Sequence, residues 1–288
     1  HSFPTRRSSD LEACSAGSEL TLDGAWQMEL KLKYKYRLIL DESWSFGIVG
    51  KTGRGVTEVF DVPVRIGLAF DKPHTDSSVQ ASSVDIMTGS MANGLCSAGG
   101  FCGGSLDVIA HQRINSPAFV FSAALPPLLA VSASESLSLL SIPLSSTSPS
   151  HPLSPLPSHI LALRTILDGI HSIDIPSASI SPLIHIQVKP SSLTSLTSTS
   201  SSGLGISAAP ISESSREEQE RLLQDVAEYC AENGVLVSRT KRNWEQEMVE
   251  HRPSLRICVS AALSRKEVEK AGGVLKAGLV KVLGKGKK

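Results

Sequence analysis

The sequence lacks an excess of either charge, a long apolar run and a regular cysteine pattern. Its 28 lysines and arginines balance its 28 aspartates and glutamates, so no net charge favours nucleic acid or an anionic membrane as a partner. The best candidate for a membrane helix, residues 119–140, is broken by Pro126 and Pro127 and contains many serines. The five cysteines are irregularly spaced, which favours reduced, buried thiols over a zinc site or a disulfide framework.

Changes in composition divide the chain into four parts. Residues 1–28 match no pattern that we can place, and residues 1–11 resemble a translated sequencing adapter, so they are excluded from fold reasoning. We predict a large domain over 29–140, a Ser/Pro-rich linker with one helix over 141–181, and a small α+β domain over 182–288. The Ser/Thr-rich stretch at 190–214 cannot bury a core and is expected to be disordered.

The large domain is organised around residues 85–104. They predict a short buried strand from Val84 to Met87, a loop of small residues, and a second, Gly-rich strand. Upstream, residues 37–47 predict another apolar strand that ends in the carboxylate of Asp41. Strands that deliver polar groups at their carboxyl ends are typical of α/β sheets, in which ligands lie outside those ends.

The remaining elements follow from periodicity and helix-end signals. In the large domain we predict short helices at 56–60 and 105–113, a strand at 118–123 and a helix from Pro126–Pro127 to Leu140. In the linker and small domain we predict helices at 158–170 and 214–233, strands at 182–189, 235–239 and 255–260, and a last helix from Ser264. Capping boxes begin the last two helices, at Ser214 and Ser264, and Gly234 ends the first of them.

Three motifs carry a family resemblance. The chain has Asp-Glu-Ser-Trp-Ser at 41–45, Gly-x-x-Gly-x-x-Gly-Arg-Gly at 47–55, and Gly-Ser-Met-Ala-Asn-Gly at 89–94 before Gly99 and Gly100. These resemble motifs of the α-oxoamine synthases, pyridoxal-phosphate (PLP) enzymes of aminotransferase fold that condense an amino acid with an acyl-CoA. The resemblance covers residues 29–140 and 183–283. It implies the C-terminal part of a PLP-transferase large domain, with a partial, mainly parallel sheet, followed by a small α+β domain.

The same resemblance implies that this chain is not catalytic by itself. Asn93 stands where the family has its Schiff-base lysine, and Trp44 stands where it has the histidine that stacks on the cofactor ring. Asp41 remains as a vestige of the carboxylate that holds the pyridine nitrogen protonated. An amide nitrogen has no basic lone pair and cannot form an imine. The resemblance therefore implies a heterodimer in which a catalytic partner holds PLP, with membrane attachment through an N-terminal segment missing from this sequence.

Two further residues are assigned a role by the resemblance. Residues 121–127 resemble the family's Phe-Ser-x-Ser-x-Pro-Pro, which implies that Ser122 contacts the phosphate of the partner's PLP, although Ala124 replaces the second serine. A strand-to-helix turn with a capping serine explains the same residues equally well. Arg54, in the glycine motif, is implied to face the partner's substrate channel.

Two other functions are kept as alternatives. One is a self-sufficient PLP-dependent synthase that uses another lysine, for which Lys51 is the nearest candidate. The other is a pseudoenzyme that regulates without pairing. Residues 64–80 interrupt the resemblance and are interpreted as a retained intron or a surface insertion, with no functional role for His74 or Asp76. We expect His185 to be a packing histidine, and Arg239 and Arg242 to have structural or salt-bridge roles.

Overall fold

The computed structural model describes residues 5–7, 33–34, 37–61, 84–141, 151–189, 213–241 and 252–284. The chain divides into two compact units, His1–Ser154 and Pro155–Lys288. The interruption at 64–80, most of the Ser/Thr-rich stretch at 190–214, and Arg242 lie outside the described residues. Within the described ranges, no helix combines the length and apolar character needed to cross a membrane.

The first unit is built on a four-stranded sheet in the order β1-β2-β3-β4. The first three strands are parallel, and β4 returns antiparallel to β3. Its elements are β1 Thr5–Arg7, β2 Ile39–Asp41, α1 Val56–Val59, β3 Ile86–Ser90, β4 Gly100–Gly104, α2 Leu106–Asn115, α3 Pro117–Val120 and α4 Pro127–Leu140. The predicted strands at the centre of this domain are confirmed, whereas β1 lies in the segment that sequence analysis excluded.

A buried carboxylate joins the starts of β2 and β3. One oxygen of Asp85 accepts a hydrogen bond from the backbone N–H of Leu38 at 2.9 Å, and the other pairs with the Arg37 guanidinium at 2.9 Å. Around it, Leu38, Val84 and Met87 form a small apolar core. This bond sets the parallel strands in register, with Asp41 opposite Thr88 at their carboxyl ends.

The glycines of β3 and β4 permit close packing of an aromatic side chain. Gly89 lies opposite Phe101, and a Cβ on Gly89 would approach the Phe101 ring to 2.6 Å. The Phe101 ring also contacts Phe46 in a tilted arrangement, with the ring centroids 4.9 Å apart. Because Phe46 follows β2, this contact joins the loop after β2 to the antiparallel end of the sheet.

The prediction of a strand at 118–123 is wrong, since the structure has the short helix α3 there. Ser116 caps this helix by accepting a hydrogen bond from the Phe119 N–H at 3.3 Å, and Pro117 occupies its first turn. This helix-start signal overrides the aromatic and β-branched residues that favour a strand. The helix predicted at 105–113 is present as α2, but it has no buried residue, and Leu106 is 54% exposed.

The second unit has an antiparallel sheet in the order β5-β6-β8-β7. Its elements are α5 Leu156–Leu167, β5 Ile173–Asp174, β6 Leu183–Val188, α6 Glu213–Glu232, β7 Ser238–Arg239, β8 Leu255–Cys258 and α7 Arg265–Leu283. Helix α7 packs against α5 and α6. Two glycines make this approach close: a Cβ on Gly272 would lie 2.8 Å from Ile166, and one on Gly278 would lie 2.8 Å from Tyr229.

The predicted ends of the helices in this unit have mixed outcomes. The capping box of Ser264 and Glu267 at the start of α7 is confirmed, and Gly234 follows α6 with a φ of 78°. The proposed cap at Ser214 is wrong, because α6 already begins at Glu213 and Ser214 lies within its first turn.

The expectation of buried thiols holds for one of the four cysteines that the structure describes. Cys230 is buried, and burial raises the pKa of its thiol. The other three, Cys96, Cys102 and Cys258, are exposed. In the first unit, Cys102 lies in the Gly-rich β4 and Cys96 lies in the loop that precedes it.

Candidate functional site

The site lies where the loops after β2 and β3 meet, at the carboxyl edge of the parallel strands. Gly47 and Gly94 form the contact between these loops. A Cβ on Gly94 would lie 2.8 Å from the Gly47 Cα and closer still to the Phe46 carbonyl oxygen. Gly47 has a φ of 80°, which a side chain would strain. Glycine at both positions therefore lets two backbones pack directly against each other.

Of the five residues to which the resemblance assigns a role, Asp41 and Asn93 meet at this edge. One oxygen of Asp41 accepts hydrogen bonds from the Ser43 backbone N–H at 2.9 Å and from the Ser43 hydroxyl at 2.5 Å. The Asn93 side-chain amide donates to the Ser43 carbonyl oxygen at 2.9 Å. Trp44 follows directly and is half-buried. Asp41 and Asn93 thus belong to one cluster that is joined through Ser43, and Trp44 is the next residue of the chain.

Sequence reasoning missed the most deeply buried carboxylate of this edge. Glu42 is 0% exposed and accepts hydrogen bonds from the backbone N–H groups of Val56 at 3.0 Å and Thr57 at 3.1 Å, and from the Ser45 hydroxyl. Burial raises the pKa of the Glu42 carboxyl, and these hydrogen bonds oppose that shift. A second acidic residue directly after a strand was the available sequence signal, but it did not identify the donors.

A second carboxylate holds the glycine motif from its other side. The Glu58 side chain accepts hydrogen bonds from the Thr52 N–H at 3.0 Å, the Thr52 hydroxyl at 3.0 Å and the Arg54 N–H at 3.1 Å. Arg54 and Lys51 themselves are exposed. The short helix predicted after this motif is confirmed as α1, and it carries Glu58 back onto the loop.

The remaining predicted site residue, Ser122, lies in the turn after α3. It is exposed, and its φ of 54° places it in the left-handed region. Apolar side chains of α2, α3, the turn after α3 and α4 are also exposed, and we call them the α2–α4 apolar surface. Its members are Leu106, Ile114, Phe119, Val120, Phe121, Leu128 and Val131. Phe121 and Leu128 are each 78% exposed. Seven large exposed apolar side chains are more than the single ones that are normal on a protein surface.

Helix α4 also connects this surface to the candidate site. The Ser97 hydroxyl donates to the Leu129 carbonyl oxygen at 2.7 Å, and the Ser136 hydroxyl donates to the Leu95 carbonyl oxygen at 2.8 Å. Met91, Leu95 and Ala133 form the apolar core between the helix and the loop that carries Asn93. The loop at the carboxyl edge is therefore supported by the same helix that displays the apolar surface.

In the second unit, the residues discussed from the sequence have structural partners. Arg239 forms an ion pair with Glu220 at 2.7 Å, as predicted. His185 is buried in β6, with its Nδ1 2.9 Å from the Ser254 hydroxyl oxygen. Among the described residues, no group of three or more histidines, cysteines, aspartates or glutamates could hold a metal ion.

Comparison with known proteins gives relatives along most of the chain. No protein-family model matches. Serine palmitoyltransferase 1 of Dictyostelium discoideum is 32% identical over 255 residues, which are 86% of this chain and 44% of the relative. Long chain base biosynthesis protein 1b of rice (Oryza sativa subsp. japonica) is 38% identical over 164 residues, 57% of this chain and 29% of that protein. The chain thus spans less than half the length of either relative.

Solved structures agree on the fold. Serine palmitoyltransferase from S. paucimobilis, solved with a PLP–myriocin adduct, matches 91% of this chain and 51% of its own chain with a TM-score of 0.62 and 16% identity. The aminotransferase-like α/β fold predicted from the sequence is confirmed. The chain is a relative of serine palmitoyltransferase 1 and long chain base biosynthesis protein 1, and it carries part of their length on the fold of PLP-dependent enzymes.

Proposed function

We propose that the chain is the non-catalytic subunit of serine palmitoyltransferase. In that role it supports the condensation of L-serine with palmitoyl-CoA to 3-ketosphinganine, in sphingolipid biosynthesis. The similarity to serine palmitoyltransferase 1 supports the reaction. The non-catalytic role depends on one observation: the side chain at position 93 is an amide that donates to the Ser43 carbonyl oxygen, in the same cluster as Asp41.

The residues at this edge do not fit a PLP tethered to this chain. PLP supplies an electron sink for carbanions, and it needs an amine to hold it as an imine. Asn93 offers none, and Asp41 directs one oxygen to Ser43. Lys51 lies exposed in the glycine motif, with nothing in the described contacts that turns it toward Asp41. The cofactor therefore belongs to the partner subunit in this proposal.

The proposed partner is the catalytic long-chain base subunit 2 of the enzyme. The α2–α4 apolar surface supports this pairing, because large apolar side chains exposed in such number are typical of an interaction site. Ser122 directly follows Phe121, a member of that surface, and is proposed to reach the phosphate of the partner's PLP. Small regulatory membrane subunits, and attachment to the cytosolic face of the endoplasmic reticulum membrane through an N-terminal segment outside this sequence, complete the proposal.

The test is co-expression of the chain, within its complete subunit, with the catalytic subunit. We expect a stable heterodimer that forms 3-ketosphinganine, and loss of both assembly and product with Leu128→Asp. Glu135→Gln, on the same helix, is the matched control, since Glu135 is already exposed and polar. PLP recovered on a lysine of this chain after borohydride reduction would overturn the non-catalytic role. Failure to form any heterodimer would favour regulation without pairing.

A further inference from the structure

The glycine motif at 47–55 is held rigidly by two carboxylates that have no part in the proposed chemistry. Glu58 takes three hydrogen bonds from Thr52 and Arg54 on one side of the loop. Gly50, with a φ of 96°, lies against this carboxylate, and a Cβ there would collide with Glu58 Oε2. Glycine at position 50 therefore leaves the space that the Glu58 carboxylate occupies.

Glu42 holds the other end of the loop from beneath. It binds the N–H groups of Val56 and Thr57, and a Cβ on Gly55 would approach its Oε2 to 2.5 Å. Glycines lose more conformational freedom on ordering than any other residue, so ordering a loop with four of them has a large cost in conformational entropy. Two carboxylates and at least six hydrogen-bond donors oppose that cost here. We expect a loop that is fixed in this way to hold one of its residues in a defined position for binding.

Arg54 is the group that the loop presents. Its own backbone N–H is bonded to Glu58, it lies between Gly53 and Gly55 with φ of 79° and 89°, and its side chain is exposed. The loop contacts Gly94 through Gly47, so it borders the carboxyl edge of the parallel strands. In open α/β sheets ligands bind outside that edge. A guanidinium at this place suits a phosphate, which it can bind with two parallel hydrogen bonds.

We infer that Arg54 binds a phosphate group of a ligand held by the catalytic partner, and that Glu58 is the positioning residue that fixes Arg54 for this contact. The inference rests on the proposed function, in which the partner binds both PLP and an acyl-CoA. Either ligand could supply the phosphate, and separate measurements distinguish them.

The test uses the purified heterodimer with three variants of this chain: Arg54→Ala, Glu58→Ala and their double variant. If the phosphate is that of acyl-CoA, each single variant should raise KM for palmitoyl-CoA about tenfold, as for a charged hydrogen bond lost. KM for palmitoyl-N-acetylcysteamine, a thioester without phosphates, and KM for L-serine should stay the same. If the phosphate is that of PLP, the Kd for added PLP should rise instead. The double variant should match Arg54→Ala, because Glu58 acts through Arg54.

Lys51→Ala is the matched control, because it removes the same charge from the same loop without changing Glu58 or the residues that bond to it. A rise in KM equal to that of Arg54→Ala would show a general charge effect and overturn the inference. Equal losses with palmitoyl-CoA and with the phosphate-free thioester, or unchanged constants for all variants, would also overturn it. These results leave the proposed function standing as long as the wild-type heterodimer forms and is active. Glu58→Gln should recover part of the loss, since it keeps one acceptor oxygen.

Discussion

The most deeply buried side chains differ between the two units of the chain. Among the described residues of the second unit, those at 0% exposure are Cys230 and six apolar residues of β6, α6, β8 and α7: Ile184, Ile186, Leu223, Val226, Leu255 and Leu279. In the first unit the most buried groups include Glu42 and Ser45, while Phe121 and Leu128 face solvent. The second unit is therefore stabilised mainly by its own apolar core. The first unit fixes loops with buried hydrogen bonds and leaves large apolar side chains exposed.

The largest effect should come from the apolar core of the second unit. Leu279→Ala removes a fully buried side chain from α7 and should lower the free energy of unfolding by about 3–4 kcal/mol, from lost transfer energy and a new cavity. Leu128→Ala, at an exposed site of the first unit, should change it by less than about 0.5 kcal/mol. Hydrogen exchange measured by mass spectrometry reports each unit separately. Equal effects at both sites would contradict the contrast.

The next largest effect should come from the close backbone contact between Gly94 and Gly47. Gly94→Ala places a methyl group against backbone atoms of Phe46 and Gly47, which cannot move as a side-chain tip can. We expect a loss of about 2–3 kcal/mol in the first unit, typical of a forced backbone shift. Gly273→Ala in α7 is the control, because nothing lies within 4 Å of its added Cβ, and it should stabilise the helix by about 0.5–1 kcal/mol. Protection of amides at 43–55 in hydrogen exchange would show the difference.

The buried carboxylate of the first unit predicts a pH dependence. Glu42→Gln keeps one acceptor but turns an N–H₂ toward a backbone donor, which should cost about 1–2 kcal/mol. Because burial raises the pKa of Glu42 above its usual 4.5, its contribution to stability is complete below that pH and declines as pH rises through the raised value. The stability difference between wild type and variant should therefore be larger at acidic than at neutral pH. A difference that grows with pH would contradict the assigned environment.

What could be predicted from the sequence was local. Strands β2 and β3 follow from apolar runs, β4 from its glycines, and the cap of α7 from the spacing of Ser264 and Glu267. The convergence of Asp41 and Asn93 was also predictable, because Asp41 ends one parallel strand, Asn93 follows the next, and the carboxyl ends of such strands meet at one edge.

What could not be predicted depends on contacts between distant residues. Glu42 meets its donors 14 and 15 residues later, and nothing local shows that the glycine motif will fold back over it. At 118–123 the residue types favoured a strand, but the signal at Ser116 and Pro117 decided for a helix. The contact of Ser122 with a partner's phosphate stays a prediction, since it requires a second chain.

The smallest effect tests whether the second unit also uses local hydrogen bonds. Ser264→Ala removes the hydroxyl that accepts from the Glu267 N–H at the start of α7, and should cost about 1 kcal/mol, as for other helix caps. The hydrogen bonds from Ser264 lower the pKa of the Glu267 carboxyl, so their contribution is present above its usual pKa of 4.5 and is lost as pH falls through the lower folded value. The difference between wild type and variant should therefore shrink in acid, opposite to the trend at Glu42. Urea titrations of Glu42→Gln and Ser264→Ala at acidic and neutral pH would measure the two trends together. Trends of the same sign would contradict the view that burial governs the pKa of Glu42 and hydrogen bonding that of Glu267.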